Sequence, residues 1–342
     1  MLESGSVSLL ELTRVHTHYP GVNGKPPVQA VSNVSFSLEE GEVLGIVGES
    51  GCGKSTLARS VLRLCECQQG RIEFDSQDIT RFGRRQMKAI RRQMQVVFQD
   101  PFGSLNPRHS VNRLLTEPLR VHAIGDAQTQ QRRVKELLSL VGLSESALSR
   151  LPHEFSGGQR QRIAIARALS LQPRLLIMDE AVSALDVSVQ SQIINLINEL
   201  RSKMDLSMLF ISHDLSVVRH VSDRVAVMYL GHIIETGPTE LVMNSPIHPY
   251  TQALVSAIPG WQRTSVQRIV LQGEMPDPSR PPSGCVFSTR CTHAVDKCFQ
   301  QRPELLSAKV RQWPAEMKIR QRGLEVMGEH RHACFLDLPN RV

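Results

Sequence analysis

One octet limits what this chain can fold into: GESGCGKS at 48–55. It fits G-x-x-x-x-G-K-[ST], the pattern of a loop that wraps phosphate. The stretch GEVLGIVGES reads as a buried strand entering a tight turn, and KSTLARSVLRL as a helix with apolar residues on one face. Strand, glycine turn and helix in that order predict an α/β fold. The glycines let successive backbone N–H groups turn inward, and the helix start adds favourable partial charge for an anion. Lys54 is placed to reach terminal phosphates, and Ser55 to coordinate Mg²⁺ through its hydroxyl. The competing reading is a glycine turn with a capped helix, and the flanking strand and helix argue against it.

The 342 residues suggest two domains at about 150 residues each. Apolar residues make up 41% and charged residues 21%, enough to build a full core. The net charge of +7 is spread without any block of five or six Lys and Arg, and aromatics are only 4%. Platforms for stacking bases are therefore scarce, and a solvated surface explains the charge as well as nucleic acid, membrane or anionic ligands do. No apolar stretch approaches the ~18 residues of a membrane span. The first 16 residues, MLESGSVSLLELTRVH, lack a cleavable hydrophobic core. The expectation is a soluble chain made in the cytoplasm, touching membrane only through a partner.

Up to about residue 240, strand-like apolar runs alternate with amphipathic helical ones, which predicts a mostly parallel sheet covered by helices. Further buried strands are predicted at 95–98, 175–178, 208–211 and 225–229. The stretch QTQQRRVKELLSLVGL has helical spacing, so a helical insertion is expected within about 100–165. The texture changes beyond Ser245, where GEMPDPSRPPSG reads as a proline-rich linker to a cysteine-bearing tail.

Two more elements carry chemistry. LLIMDE at 175–180 is an apolar run ending in two carboxylates, and ligands gather at the carboxyl ends of strands in open α/β sheets. Asp179 can hold Mg²⁺ or its waters, and Glu180 can orient and deprotonate an attacking water. A strand ending in a surface Asp-Glu pair is the plainer reading when the phosphate loop is ignored. FSGGQRQRIAIARAL at 155–169 opens a helix capped by Ser156, with Gly157 and Gly158 exposing backbone N–H groups. It reads as a second anion-binding helix start serving another chain's nucleotide, or as a simple glycine-containing cap.

GESGCGKST, Gln99 in VVFQD, FSGGQRQR, LLIMDE, SALD at 183–186 and ISHD with His213 stand in the order of an ABC-transporter ATPase, which this chain resembles. The resemblance spans most of 1–240. It implies an ABC-type, RecA-like P-loop core with an antiparallel β subdomain and a helical subdomain within 1–244. It implies that Gly48, Glu49, Ser50, Gly51, Cys52, Gly53, Lys54, Ser55 and Thr56 bind ATP, and that Ser55, Gln99 and Asp179 hold Mg²⁺. Glu180 and His213 would be catalytic, with Gln99 and His213 at the γ-phosphate. Ser156, Gly157, Gly158 and Gln159 would close over ATP on the opposite subunit, with Asp186 at the junction. Tyr19 falls where the family places an adenine-stacking aromatic, though a Tyr at a strand end is the equal alternative. The family usually has proline after the catalytic glutamate; here it is Ala181, a change in loop rigidity that spares the chemical groups.

NSPIHPYTQALVSAIP, PPSGCVFSTRC and LNPR at 105–108 resemble the ATPases of oligopeptide and dipeptide permeases, the second ATPase of the pair above all. That implies a 245–342 extension, a second and related ATPase, two transmembrane permease subunits and an extracytoplasmic solute-binding protein, with no nucleic acid. The chain would sit peripherally on the cytoplasmic face of the inner membrane and energise uptake of di-/oligopeptides or similar small solutes. The alternative is a non-transport ABC ATPase acting on nucleic acid or ribosomes; such proteins carry a coiled-coil insertion or two cassettes, and this sequence has neither. Cys285, Cys291, Cys298 and Cys334 suit an iron–sulfur cluster, a Zn²⁺ site or plain thiols. Paired Cys-x-x-Cys spacing is absent, and relatives in this permease family are known with a [4Fe–4S] cluster here. His293, His330 and His332 are further candidate ligands. Cys52, near a helix N-terminus, is expected to be a reactive thiol of lowered pKa.

Overall fold

The segment Val43–Val47 is buried at every position and forms the strand that leads into the glycine turn. Gly45 within it is a packing requirement: a Cβ there would lie 2.3 Å from Val218 Cγ1, so the helix Leu215–Val221 sits directly on the strand. Asp223 ties the same strand down, its carboxylate accepting the Val43 N–H at 2.9 Å and its own N–H donating to the Val43 carbonyl at 2.9 Å. This computed structural model describes residues 8–21, 24, 26–260, 268–307, 319–321, 324–326 and 329–336. They divide between two compact units, one drawn from 1–38, 43–80 and 212–342, the other from 39–42 and 81–211. Residues 1–7, where the leader reading falls in part, and 308–318 of the tail lie outside the described residues.

Among its described residues the first unit holds two larger sheets and a small hairpin. In one, Leu10–Tyr19 lies between Val28–Leu38 and Gln69–Phe74, with Gln77–Asp78 at the edge, all antiparallel. This is the expected antiparallel sheet, and Leu10, Leu12 and Val15 bury its inner side. In the other, Val43–Val47 pairs in parallel with Arg224–Tyr229, which turns back into His232–Pro238. Leu230 and Gly231, at φ 44° and 80°, make that two-residue hairpin turn. The tail continues the sheet: Arg331–His332 pairs with His232–Pro238, and Leu306–Ser307 pairs with Arg331–His332. Buried Glu235 anchors it, accepting the His330 Nε2 hydrogen at 2.7 Å and the N–H groups of Ile247 and His248 at 2.8 and 2.9 Å. Ile319–Gln321 and Leu324–Val326 form a separate small hairpin.

In the second unit Ser207–Ser212, Leu175–Asp179 and Met94–Val97 run parallel in that order. Each strand falls within about two residues of the sequence expectation. The helices Val111–Val121, Ala127–Leu140 and Gly157–Leu169 belong to this unit. The Ser110 hydroxyl and the Asp126 carboxylate cap the first two, accepting backbone N–H groups at 3.4 and 2.8 Å. A Cβ on Gly158 would lie 2.4 Å from Val189 Cγ1, which brings Gly157–Leu169 close against Val187–Met204. Among the described residues no helix is long and apolar enough to cross a membrane.

Candidate functional site

In the first unit the chain leaves Val47 and turns through 48–53 before the helix Lys54–Val61 begins. Two glycines make the turn possible. A Cβ on Gly48 (φ 157°) would stand 2.2 Å from the Met228 carbonyl oxygen, and one on Gly53 (φ 108°) 2.0 Å from that of Ala30. No side chain fits at either position. The buried Lys54 ammonium donates to the carbonyls of Gly48 and Glu49 at 2.8 and 2.9 Å, bridging the loop from within. The helix has no acidic residue in its first turn, which leaves its N-terminal partial charge available to an anion. Ser55 and Thr56 follow, half-buried, and the Tyr19 hydroxyl donates to Thr56 Oγ1 at 3.4 Å. The structure thus brings Tyr19 to the first turn of the phosphate-loop helix. His213 is exposed, just beyond Ser212 and before the helix that Asp214 caps.

Cys52 departs from expectation. It is 1% exposed, and burial pushes its thiol up to about 11 despite the ammonium of Lys54 nearby. A helix N-terminus favours the thiolate, but desolvation outweighs it here. Cys52 serves instead as a small packing residue whose carbonyl accepts the Gly231 N–H at 2.8 Å.

The second unit holds the carboxylates. Asp179 ends its buried strand at 4% exposure. Glu180 follows in the left-handed region, φ 48°, unusual for a residue with a side chain. Its backbone is held on both sides: its N–H donates to the Ile211 carbonyl at 3.0 Å, and its carbonyl accepts the Ser183 hydroxyl at 2.8 Å. The Gln99 amide donates to Glu180 Oε2 at 3.3 Å, so two residues 81 positions apart meet. Ala181 is buried at 3%, in place of the family's proline.

The other predicted elements of this unit are helix starts. Ser156 and Gln159 form a reciprocal capping box, the Gln159 N–H donating to Ser156 Oγ at 3.4 Å and the Ser156 N–H to Gln159 Oε1 at 3.1 Å. Asp186 caps Val187–Met204, accepting the Val189 N–H at 3.0 Å and the Ser188 hydroxyl at 2.7 Å. Those hydrogen bonds, the Val189 N–H foremost, hold its carboxyl below the usual carboxylate range.

The Cys285 N–H donates to the Cys298 carbonyl at 2.8 Å, and Cys334 feels the charges of Cys285, Cys291 and Cys298. Burial pushes Cys285 and Cys291 upward and Cys334 to about 11. Among the described residues, however, no group of three His, Cys, Asp or Glu could hold a metal ion. The iron–sulfur and zinc expectations therefore gain no support from this arrangement. His330 binds Glu235 and so is spoken for, and His332 lies buried on the adjoining strand. Sequence reading also passed over Tyr250 and Arg290, whose partners lie in the phosphate loop; a tyrosine in a helix and an arginine in a loop carry no local signal.

The phosphate loop in the first unit and the paired carboxylates in the second define a P-loop ATPase of the ABC type. A family model described as "ABC transporter" matches residues 31–183, and one described as "Oligopeptide/dipeptide transporter, C-terminal region" matches 234–298. The oligopeptide transport ATP-binding protein AppF of Bacillus subtilis (strain 168) is 52% identical over 318 residues, covering 90% of this chain and 96% of that protein. The oligopeptide transport ATP-binding protein OppF of Salmonella typhimurium is 47% identical over 309 residues, covering 87% of this chain and 92% of its own length. Among solved structures, the dimeric post-hydrolysis state of the ATP-binding cassette MJ0796 bound to ADP and Pi aligns with a TM-score of 0.61 at 27% identity, over 67% of this chain and 98% of that one. The chain belongs to the ATP-binding subunits of ABC transporters, in the oligopeptide/dipeptide transporter family.

Proposed function

We propose that this chain hydrolyses ATP to energise uptake of di- or oligopeptides, or similar small solutes, through a membrane ABC importer. The observation that carries the reading is the loop 48–56, with Gly48 and Gly53 where no Cβ fits and Lys54 bridging the turn. The names of AppF and OppF supply the cargo class. In this reading the loop N–H groups beyond Glu49, whose own N–H goes to the Tyr250 hydroxyl, bind the phosphates with Lys54, and Ser55, Gln99 and Asp179 hold Mg²⁺. The metal supplies charge neutralisation on the phosphate oxygens. Glu180 orients and deprotonates the attacking water, Gln99 and His213 read the γ-phosphate, and Tyr19 meets the adenine.

Ser156, Gly157, Gly158 and Gln159, with Asp186, are proposed to complete the site of a second, related ATPase. Two permease subunits and an extracytoplasmic binding protein complete the machine, with this chain peripheral on the cytoplasmic membrane face. The proposed boundary at 244/245 separates the ATPase domain from the extension. The relatives give the nucleic-acid alternative no support. Glu180→Gln is the test: MgATP binding should persist while phosphate release falls about 10²–10⁴-fold. Turnover within tenfold of wild type would remove Glu180 from this role.

A finer proposal concerns Cys285, Cys291, Cys298 and Cys334 as ligands of a [4Fe–4S] cluster. Four cysteine thiols are the donor set that such a cluster takes. Iron and acid-labile sulfide near four of each per chain after anaerobic purification would support the cluster. Neither iron nor sulfide in such protein would dismiss it.

A further inference from the structure

The extension reaches back to the phosphate loop at one residue. Glu49, directly after Gly48, is held twice by side chains more than 200 positions away. Its backbone N–H donates to the Tyr250 hydroxyl at 2.9 Å. Its carboxylate Oε2 meets Arg290 Nη1 at 2.9 Å, the guanidinium being 7% exposed and the carboxylate 30%. Both partners are themselves fixed. Tyr250 is fully buried and packs edge-on against Tyr229 and Phe287, with ring centroids 4.8 and 5.5 Å away. Arg290 Nε donates to the Gln272 carbonyl at 3.4 Å, and its guanidinium lies 5.9 Å from the centre of the Tyr229 ring. The same stretch of extension meets the loop elsewhere: a Cβ on Gly51 would lie 3.6 Å from Met275 Cε.

A carboxylate inside a phosphate-binding loop works against binding, because it repels the ligand's charge at short range. Here that charge is paired and turned to the extension. The pair is partly buried, so water and salt screen it less than a surface pair. The Tyr250 hydroxyl, meanwhile, fixes the peptide plane that joins Gly48 to Glu49, where the loop begins its turn. We infer that Tyr250 and Arg290 are positioning residues for the phosphate loop, acting through Glu49. They make the extension part of the nucleotide site, with Glu49 neutralised and its N–H pinned. The inference rests on 48–56 binding ATP.

Steady-state ATP hydrolysis by the full chain in its assembled transporter tests it. Arg290→Gln should raise KM for ATP about tenfold, the size of one charge-assisted hydrogen bond, with kcat within about twofold. Arg290→Lys should recover most of the loss. Tyr250→Phe, which keeps the ring packing, should raise KM about threefold. In a Glu49→Gln background Arg290→Gln should change little, because no carboxylate remains to neutralise. Wild-type KM in both Arg290→Gln and Tyr250→Phe would overturn the inference. So would an Arg290→Gln effect of full size in the Glu49→Gln background, or a fall confined to kcat. Absence of ATP binding by the wild-type chain would instead count against the phosphate-loop reading itself.

Discussion

The phosphate loop and the cysteine-bearing tail lie in the same unit, yet they are specified in opposite ways. The loop is local. Eight consecutive residues, a buried strand before them and a helix after them are enough to recognise it, because the ligand is met by backbone N–H groups whose direction the glycines set. The tail is assembled from afar. Its strand Arg331–His332 is placed by pairing with His232–Pro238, and Glu235 holds it through His330 across 95 positions. A local motif announces itself in sequence, whereas a distributed one is legible only once its partners are known.

The largest effect should come from the loop's geometry. Gly53→Ala sets a Cβ 2.0 Å from the Ala30 carbonyl oxygen and holds alanine at φ 108°. Such backbone strain costs about 1–3 kcal/mol before the clash is counted. MgATP affinity should fall at least about hundredfold, read by equilibrium binding. Near-wild-type affinity would mean that the loop is less constrained than the tail.

Next in size is thiol reactivity. With its pKa raised from 9.0 to about 11, Cys52 is protonated at pH 8 and gains thiolate only as pH climbs toward that value. Its thiolate fraction at pH 8 is about a hundredfold below that of an unshifted thiol. Iodoacetamide labelling followed by peptide mass spectrometry should find the buried Cys52 modified more slowly than the half-buried Cys67, whose pKa burial also raises, with a Cys52 rate that rises with pH. Fast labelling at pH 7 that ATP blocks would restore the activated thiol that the helix start alone suggested.

Two smaller effects compare long-range and local anchoring directly. His330→Ala deprives buried Glu235 of one of three donors, which should cost about 1–3 kcal/mol in the denaturant midpoint. Ser156→Ala removes a cap and should cost about 1 kcal/mol. Were Ser156→Ala the more damaging, the tail would be held by something other than the Glu235 cluster.

The buried strands, the phosphate loop and the Asp179–Glu180 pair were legible because apolar runs and glycine spacing are short-range signals. The Ser156 cap was legible for the same reason, whereas the Asp186 cap emerged only with the structure. Three things were not. The depth at which Cys52 is buried depends on the packing of the whole loop, and it reversed the expected direction of the pKa shift. The linker-like stretch 273–284 reads as polar and irregular, yet Pro278 accepts the Gln29 N–H at 3.1 Å and Met275 reaches the loop. Proline richness reports local backbone preference and says nothing of what the backbone lies against. The Arg290–Glu49 pair spans 241 positions and leaves no periodic trace.

The central proposal is that this chain supplies a phosphate loop and base to one ATP and Ser156–Gln159 to another, so that a working site needs a second cassette. Specific ATPase activity measured against chain concentration tests it most directly. The account predicts activity that rises with concentration, or on adding the second cassette and permeases, and that plateaus as pairs form. Specific activity that is constant down to nanomolar chain, with no response to a second cassette, would contradict it.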